Sequence, residues 1–516
     1  MATDSRVRPP LRIESGLIAD VEPDAFGVRV FKGVPYAAPP VGRLRWRAPQ
    51  PVEPWEGVRN ADRWGPRSMQ GDRLGDLDPL NKRMSEDCLY LNVWTPAQTA
   101  ADRLPVMLWI HGGSNNLGAG SQPEFDGANL ARRGVVVITI NYRLDVFGFL
   151  AHPDLTAESG TNASGNCGLL DQIAALRWAQ NNISTFGGDP SRVTVFGESA
   201  GAFDVSLLMA SPLTEGLFVR AVGASGGALS SSLIFGPKPL RIGEQEGLRF
   251  ARALGCERIA DLRTLPAEKV LAAAIRSPIN YAFGVVDGYV VPEHPATIYA
   301  EGKQRAVPLL VGRNSDEGTL FAPRFATFGP GEPSYVERIR SQFADSADEV
   351  LAHYPPGATL EAQQAAFAML IGDQFIDLGA WRWAELAAAS GRSPTYRYLF
   401  TRRPPGAPEM SIYPLTAPGV YHYAEICYVF DNLQLRDWRW EREDRRLADA
   451  MSSYWVNFAK TGDPNGAGLP RWPQYRPGGA GRVMQLGREI GARDDCESER
   501  ARLGFLNEYY RRAASR

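Results

Sequence analysis

The sequence predicts an α/β fold with a central, mostly parallel sheet and helices on both of its faces. Two segments, residues 105–110 (PVMLWI) and 134–142 (GVVVITINY), are continuously apolar and as long as strands. Such runs are typical of strands that are buried on both faces of a parallel sheet. Residues 168–183 have apolar side chains at helical spacing and are followed by the strand-like 192–196. Strand–helix–strand order of this kind indicates crossover helices.

Further elements follow the same pattern along the chain. Residues 89–94 (LYLNVW) alternate as a strand does, and 307–314 (VPLLVGRN) form another buried run. Pro308 fits this strand only near its start, where a missing amide donor is tolerated. Residues 447–460 have a helical pattern. No linker divides the chain, so we expect one large catalytic domain over residues 10–510, with long insertions between its elements.

Composition excludes several classes of protein. Of the 516 residues, 44% are hydrophobic and 22% are charged, which is typical of a globular chain. The net charge of −2 leaves no basic surface for nucleic acid. No apolar run reaches the length of a membrane span, and no signal segment is visible at the start. The five cysteines have no metal-ligand or disulfide-framework spacing. We therefore expect a soluble cytoplasmic protein without a membrane span, a nucleic-acid partner or a metal.

The segment 197–201 (GESAG) carries the first chemical signal. It follows the predicted strand 192–196 and precedes a helical pattern at 202–210. A strand–turn–helix of this form presents a nucleophilic serine on a sharp turn, and the flanking glycines avoid a Cβ clash. The amide groups at the start of the following helix can also stabilise a developing anion. We predict that Ser199 is a nucleophile.

The same GxSxG pattern occurs a second time, at residues 223–227 (GASGG). It also follows a strand-like segment, but no helical pattern comes after it. We therefore interpret Ser225 as a turn residue or a buried hydroxyl group rather than a nucleophile.

A serine nucleophile needs a base and an acid that orients the base. In the α/β-hydrolase chain order the acid follows the nucleophile and the histidine follows the acid. Asp316 and Glu317, directly after the strand 307–314, are the candidate acids, and His294 is excluded because it precedes both. His422 and His353 remain as candidate bases, and His422 is favoured.

Residues 111–114 (HGGS) follow the strand 105–110 directly. Their backbone amides can stabilise an oxyanion together with the amide of Ala200, as in hydrolases with a nucleophile on a strand–turn–helix. The alternative interpretation is a plain glycine turn after a strand.

Several long segments resemble the type-B carboxylesterase family, which includes the cholinesterases and the bacterial para-nitrobenzyl esterases. The segments are FKGVPYAAPPVGRLRW, SEDCLYLNVWTP, PVMLWIHGGS, NYRLDVFGFL, GNCGLLDQIAALRWAQNNISTFGGDPSRVTVFGESAG, GRNSDEGTLF, GVYHYAEICYVF and WVNFAKTGDPN. The resemblance implies an α/β-hydrolase fold and a triad of Ser199, Glu317 and His422. It also implies oxyanion-hole donors and a buried supporting hydroxyl, and these map to Gly113, Ser114, Ala200 and, for the hydroxyl, Ser225.

The chain departs from the family pattern in three places. Ser114 and Asn115 stand where the family has Gly or Ala and then an aromatic residue. Ser68 stands where secreted members have the disulfide partner of Cys88, and Cys256 also lacks the family's partner. The absence of these partners is consistent with a reducing compartment. The cholinesterases have a tryptophan a few residues before SEDC, and DPLNKRMSEDC contains none here, so a cation–π site for a choline ester is not expected.

The residues and the resemblance together predict a serine carboxylic-ester hydrolase that acts through an acyl-enzyme and needs no cofactor. The expected partner is a small-molecule ester, and the oligomeric state stays open. Asn280 and Leu320, where the cholinesterases place aromatic residues, predict a roomy acyl pocket for bulky or aromatic esters. Asn115 is a further candidate to hydrogen-bond the substrate. Two rival functions are amide or carbamate cleavage by the same triad, and a non-catalytic binding protein of the same fold.

Overall fold

A computed structural model describes residues 8–71, 78, 80–232, 235–279, 281, 283–328, 331–406, 419–478 and 481–514. The strands are β1 (Leu11–Ile13), β2 (Gly16–Ile18), β3 (Arg29–Pro35), β4 (Val58–Arg59), β5 (Tyr90–Thr95), β6 (Leu104–Ile110), β7 (Val136–Ile140), β8 (Gly188–Glu198), β9 (Arg220–Ala224), β10 (Lys238–Pro239), β11 (Val285–Val286), β12 (Leu309–Asn314), β13 (Thr395–Phe400), β14 (Arg482–Leu486) and β15 (Ile490–Asp494).

The helices are α1 (Ala128–Ala131), α2 (Asp145–Phe149), α3 (Pro153–Glu158), α4 (Cys167–Asn182), α5 (Ala200–Ala210), α6 (Leu240–Ala253), α7 (Ile259–Arg263), α8 (Ala267–Arg276), α9 (Pro295–Ala300), α10 (Ala322–Phe325), α11 (Tyr335–Phe343), α12 (Ala347–His353), α13 (Leu360–Gly372), α14 (Leu378–Ala389), α15 (Ile426–Val429), α16 (Arg442–Thr461) and α17 (Glu497–Ala514). A π-helical turn, Asp373–Asp377, joins α13 to α14.

A 10-stranded sheet with the strand order β15-β14-β13-β12-β9-β8-β6-β7-β5-β3 forms the centre of the fold. All strands from β7 to β14 in this order pair in parallel, whereas β5, β3 and β15 add antiparallel edges. Helices α5 and α14 pack against β8, β9 and β12, and α16 packs against β6 and β8. The predicted mostly parallel sheet with flanking helices is confirmed.

The strands β6 and β7 illustrate why this sequence forms a parallel sheet. Every residue of β7 is buried, and so is every residue of β6 except the first. Side chains of one strand point alternately to both sheet faces, so a strand buried on both faces must be apolar throughout. The predicted runs 105–110 and 134–142 agree with the observed strands to within two residues at each end.

Helix α4 is more buried than its one-sided apolar pattern predicts. Its Asp171 is fully buried and forms an ion pair with the equally buried Arg143, with Nη2 and Oδ1 2.7 Å apart. The guanidinium group and the backbone amide of Arg143 both donate to this carboxylate. A polar face can therefore be buried here because its charge is paired and hydrogen-bonded.

The parallel strands bring distant segments of the chain together. Strands β6, β8, β9 and β12 are neighbours, and their carboxyl ends lie at the same edge of the sheet. Most of the candidate residues follow these ends: His111 to Ser114 after β6, Ser199 after β8, Ser225 after β9, and Glu317 after β12, whereas His422 comes after β13 in the chain. In α/β sheets this edge is the usual position of a binding site.

Candidate active site

Ser199 occupies a strained turn between β8 and α5. Its φ and ψ angles are 52° and −122°, a conformation that L-residues rarely adopt. A Cβ atom on Gly201 would lie 2.0 Å from the carbonyl oxygen of Ile110 in β6, and one on Gly197 would meet Gly201. The two glycines of GESAG are therefore required because the turn packs directly against its own helix and the adjacent strand.

His422 and Glu317 are brought together from two loops. Nδ1 of His422 lies 2.6 Å from Oε2 of Glu317, and both side chains are buried. The other oxygen of Glu317 accepts a hydrogen bond from the backbone amide of Asn314 at 2.6 Å. Asn314 also donates from its side chain to the carbonyl of Tyr421 at 2.9 Å, so the end of β12 holds the histidine loop.

Asp316, the alternative acid, points elsewhere. Its Oδ2 accepts a hydrogen bond from the amide of Val420 at 2.7 Å, and its own amide donates to the carbonyl of Val420. Asp316 therefore anchors the loop two residues before His422. His353, the alternative base, ends α12 and stacks on Phe505 of α17.

The second ring nitrogen of His422 lies on the side of the nucleophile turn. Nε2 is 3.1 Å from Oε1 of Glu198, the residue before Ser199. Within the described part of the chain, the hydroxyl of Ser199 has no hydrogen-bond partner. Serine and histidine nevertheless line the same cavity, and in unliganded enzymes the bond between nucleophile and base is often long or poorly aligned.

This cavity has a volume of about 40 Å³. Its wall combines the nucleophile turn, the glycine loop and aromatic side chains: Gly112, Gly113, Ser114, Gln122, Phe125, Glu198, Ser199, Leu320, Phe321, Arg324, His422 and Tyr423. The backbone amides of Gly113, Ser114 and Ala200 have no hydrogen-bond partner among the described residues. Ala200 is the first residue of α5, where an amide has no intrahelical acceptor.

Ser225 lies behind the histidine and is fully buried. Its hydroxyl donates to Oε1 of Glu425 at 3.2 Å, and Oε2 of Glu425 accepts from the side chain of Asn314 at 2.6 Å. Since Asn314 also binds Glu317 through its backbone, Ser225 and Glu425 are linked to Glu317 through one asparagine.

Three buried carboxyl groups surround His422 and determine its charge. Burial lowers the pKa of His422, but the carboxylates of Glu198 and Glu317 outweigh burial and raise it to about 9. Burial also raises the pKa of Glu198 well above its usual range. When Glu198 is protonated, it no longer stabilises the imidazolium, and the pKa of His422 is raised less. His422 and Glu198 therefore compete for protons. Burial and the charge of Glu317 raise the pKa of Glu425 to about 7.

A hydroxyl group, an imidazole held by a carboxylate, and unpaired backbone amides are the groups that acyl transfer requires. The described residues contain no group of three or more His, Cys, Asp or Glu side chains arranged to hold a metal ion.

Comparisons with known proteins agree with this chemistry. The model of the carboxylesterase family matches residues 13–503. The chain belongs to the carboxylesterase family. It is 39% identical over 494 residues to the fumonisin B1 esterase of Sphingopyxis macrogoltabida, covering 93% of this chain and 86% of that protein. It is 36% identical over 504 residues to the para-nitrobenzyl esterase of Bacillus subtilis, covering 93% and 95%.

Among solved structures, the carboxylesterase EST55 of Geobacillus stearothermophilus matches with a TM-score of 0.83 and 34% identity, over 96% of this chain and 100% of that one. This carboxylesterase therefore has the α/β-hydrolase fold, and its reaction is the hydrolysis of carboxylic esters. The family predicted from the sequence is confirmed.

One expectation about the pocket of this carboxylesterase needs correction, and a second stays a prediction. Asn115 does not face the substrate cavity: its side chain is fully buried and hydrogen-bonded to Asp204 and Tyr142. Asn280 lies outside the described residues, so the expected roomy acyl pocket rests on Leu320 alone. Leu320 lines the cavity together with three aromatic residues.

Glu198 and Glu425 were missed by the sequence-based reasoning. Both stand in otherwise apolar segments next to a predicted catalytic residue, Glu198 before Ser199 and Glu425 three residues after His422. A charged residue in an apolar segment beside a nucleophile or base is the signal that indicates a buried carboxyl group in the site.

All five cysteines of this carboxylesterase, Cys88, Cys167, Cys256, Cys427 and Cys496, are among the described residues and are unpaired. No helix in the described part of the chain is long and apolar enough to cross a membrane.

Proposed function

We propose that Ser199, His422 and Glu317 form the catalytic triad. The observation that carries this proposal is the 2.6 Å contact between Nδ1 of His422 and Glu317, with Ser199 and His422 lining one cavity and the opposite nitrogen 3.1 Å from Glu198, the residue before Ser199. His422 removes the proton of Ser199 as the hydroxyl oxygen attacks the ester carbonyl carbon. Glu317 keeps the imidazole in the required tautomer and stabilises the imidazolium.

The tetrahedral intermediate carries a negative oxygen. We propose that the amides of Gly113, Ser114 and Ala200 donate to it. These amides lie beside Ser199, and none of the three has a hydrogen-bond partner among the described residues. The intermediate collapses as the C–O bond to the alcohol breaks and His422 protonates the leaving oxygen. A water molecule, deprotonated by His422, then attacks the acyl carbon of the acyl-enzyme. The bond between that carbon and the Ser199 oxygen breaks, His422 returns the proton to Ser199, and the acid leaves. Ser225 is proposed as a support of the base through Glu425 and Asn314.

The proposed catalytic domain covers residues 10–510. Its triad residues come from positions far apart in the chain, and the family match extends over 13–503, which supports a single unit of about this extent. We also place the protein in a bacterial cytoplasm. Unpaired cysteines throughout the chain and bacterial relatives support this location.

The proposed substrates are esters with bulky, apolar or aromatic groups. Phe125, Phe321 and Tyr423 line the cavity and can pack against such groups. Cleavage of amides or carbamates by the same triad is the alternative, because the acyl-transfer steps are shared. A matched series of acetate, butyrate, benzoate and monoalkyl phthalate esters with one leaving group, together with the corresponding amides, tests this preference. A steep fall in kcat/KM beyond butyrate contradicts it.

Labelling tests the triad directly. A fluorophosphonate probe should add its mass to the peptide that carries Ser199 and not to the peptide that carries Ser225. The His422→Ala variant should label much more slowly under the same conditions. Labelling of another serine would contradict the assignment of the nucleophile.

A further inference from the structure

A buried polar bridge lies behind the glycine loop of the active site. Nδ2 of Asn115 donates to Oδ1 of Asp204 at 3.0 Å, and Oδ1 of Asn115 accepts from the hydroxyl of Tyr142 at 2.9 Å. The second oxygen of Asp204 accepts from Nε2 of Gln172 at 2.6 Å. All four side chains are fully buried.

One end of the bridge holds a strained backbone. Ser114 and Asn115 have φ angles of 55° and 53°, so two consecutive non-glycine residues lie in the left-handed region. Each such residue is energetically unfavourable, although asparagine tolerates this conformation better than most residues. The backbone of Asn115 is also fixed, since its carbonyl accepts from the amide of Asp145 at 2.6 Å. The surrounding hydrogen bonds thus maintain a conformation that the loop would not adopt alone.

The other end of the bridge belongs to the nucleophile helix. Asp204 lies on α5, five residues after Ser199 and four after Ala200. The bridge therefore connects the loop that carries two of the proposed oxyanion donors, Gly113 and Ser114, to the helix that carries the third. Because the three amides must converge on one oxygen atom, the relative position of loop and helix decides how well they bind it.

Asp204 is an unfavourable residue to bury for stability alone. Burial raises the pKa of Asp204 to about 7, although Asn115 and Gln172 both donate to it. Replacing buried charged groups by apolar residues of similar volume is often neutral or stabilising. A buried carboxyl group at the junction of two catalytic segments points to a role in positioning them.

We propose that Asn115 and Asp204 are positioning residues, which couple the oxyanion loop to the nucleophile helix and so set the geometry of the oxyanion hole. The proposal rests on the proposed function, since it presupposes the donors Gly113, Ser114 and Ala200. Neither side chain lines the cavity, so both act through the backbone and favour the transition state over the bound ester.

The test compares two substitutions at one position. Asp204→Leu keeps the branching at Cγ, with bulkier methyl groups in place of the oxygens, and leaves Asn115 and Gln172 without their acceptor. Asp204→Asn keeps a complete network when the side-chain amide of Asn115 rotates by 180°. The new asparagine accepts from Gln172 through its oxygen and donates to Asn115 through its amide group. Tyr142 then accepts from Asn115 and donates to the carbonyl oxygen of His111, which lies 2.8 Å from the Tyr142 hydroxyl.

Removing one oxyanion donor outright costs about 10² to 10³ in kcat, so a misplaced loop is expected to cost about 10- to 100-fold. Asp204→Leu should therefore lower kcat by that factor and change KM by less than about twofold. Asp204→Asn should lose less than about threefold. Loss of activity in Asp204→Asn equal to that in Asp204→Leu would overturn the proposal, and so would a folded Asp204→Leu with full kcat or a change confined to KM.

Asn115→Gly is the second variant, and it serves even when Asp204→Leu fails to fold. Glycine keeps the left-handed backbone but removes the bridge. Asn115→Gly should lower kcat and change KM little, and a folded Asn115→Gly with full kcat would by itself overturn the proposal. When Asp204→Leu folds, the double variant should lose no more than the worse single variant, because both remove the same connection. Additive losses would overturn the proposal.

Fluorophosphonate labelling of each variant separates the two hypotheses: a label on a residue other than Ser199 refutes the triad, whereas labelling of Ser199 at the wild-type rate refutes only the bridge.

Discussion

The two GxSxG turns of this carboxylesterase have nearly the same local geometry and different surroundings. Ser199 and Ser225 follow the neighbouring parallel strands β8 and β9, and their φ angles are 52° and 54°. Ser199 begins a helix and lines the cavity beside His422, whereas Ser225 is fully buried and donates to Glu425. A sharp turn therefore presents a serine, but access and a neighbouring base decide whether that serine reacts.

The second turn supports the first through close packing. A Cβ atom on Gly226 would lie 2.7 Å from the carbonyl oxygen of Ser199 and would also meet the ring of Phe203 in α5. The amide of Ser199 donates to the carbonyl of Ala224 at 2.9 Å. Because its glycines have no side chains, the segment after β9 can pack directly against the turn that carries Ser199. A helix in this position would occupy the space that the Ser199 turn fills.

The largest expected difference between the turns is in the rate of hydrolysis. Ser199→Ala should lower kcat by about 10⁴-fold or more, because it removes the covalent route. Folding should be retained, since the lost hydroxyl has no described hydrogen-bond partner; thermal unfolding and ester turnover measure the two effects. A Ser199→Ala protein with wild-type turnover would show that the turns have been assigned the wrong roles.

The acid and base should act on Ser199 alone. Glu317→Gln should lower kcat by about 10³- to 10⁴-fold, because the imidazole loses the partner that orients and stabilises it. Asp316→Asn is the matched control, and its amide oxygen can still accept from Val420, so most activity should remain. The pair His422→Ala and His353→Ala should differ in the same way. Equal losses within either pair would leave the acid or the base unassigned.

Each serine has a buried carboxyl group beside it, Glu198 before Ser199 and Glu425 hydrogen-bonded to Ser225, and these two groups should differ in their effect on the pH profile. His422 must be neutral to act as a base, and its raised pKa places the acidic limb of kcat/KM above the pH expected for free imidazole. Glu198→Gln removes the largest interaction that raises this pKa, so the limb should move to lower pH. Glu425→Gln, which lies near Ser225, should move the limb less because its carboxyl group acts more weakly on His422. An unchanged limb in Glu198→Gln would mean that Glu198 is neutral in the working enzyme.

The smallest expected effect is at the second turn. Ser225→Ala removes one buried hydrogen bond to Glu425, which should cost about 1 kcal/mol of stability. Activity should fall only a few-fold, because Asn314 still holds Glu425 and the histidine loop. Denaturant unfolding and steady-state kinetics check this. A loss comparable to that of Ser199→Ala would mean that Ser225 takes part in the chemistry.

Much of the fold could be predicted from local sequence. The apolar runs of β6 and β7 and the strand, turn and helix around Ser199 are determined by residues that are close in the chain. Glycines at 197 and 201 with a serine between them specify a strained turn wherever they occur between a strand and a helix. For the same reason both GxSxG turns could be predicted, and the structure has the expected helix after Ser199 and a buried hydroxyl at Ser225.

The direction of individual side chains required the packed fold. From the residues alone, Asp316 and Glu317 were equal candidates, and only the docking of the histidine loop on the end of β12 turns Glu317 toward His422 and Asp316 toward Val420. Asn115 was expected to face the substrate, but its side chain is buried and hydrogen-bonded to Tyr142, just after β7, and to Asp204 on α5. The local sequence determines the strands and the glycine-containing turns, because these depend on neighbours in the chain. Which polar atoms meet depends on elements that are 27 to 105 residues apart in these contacts, and no local pattern contains that information.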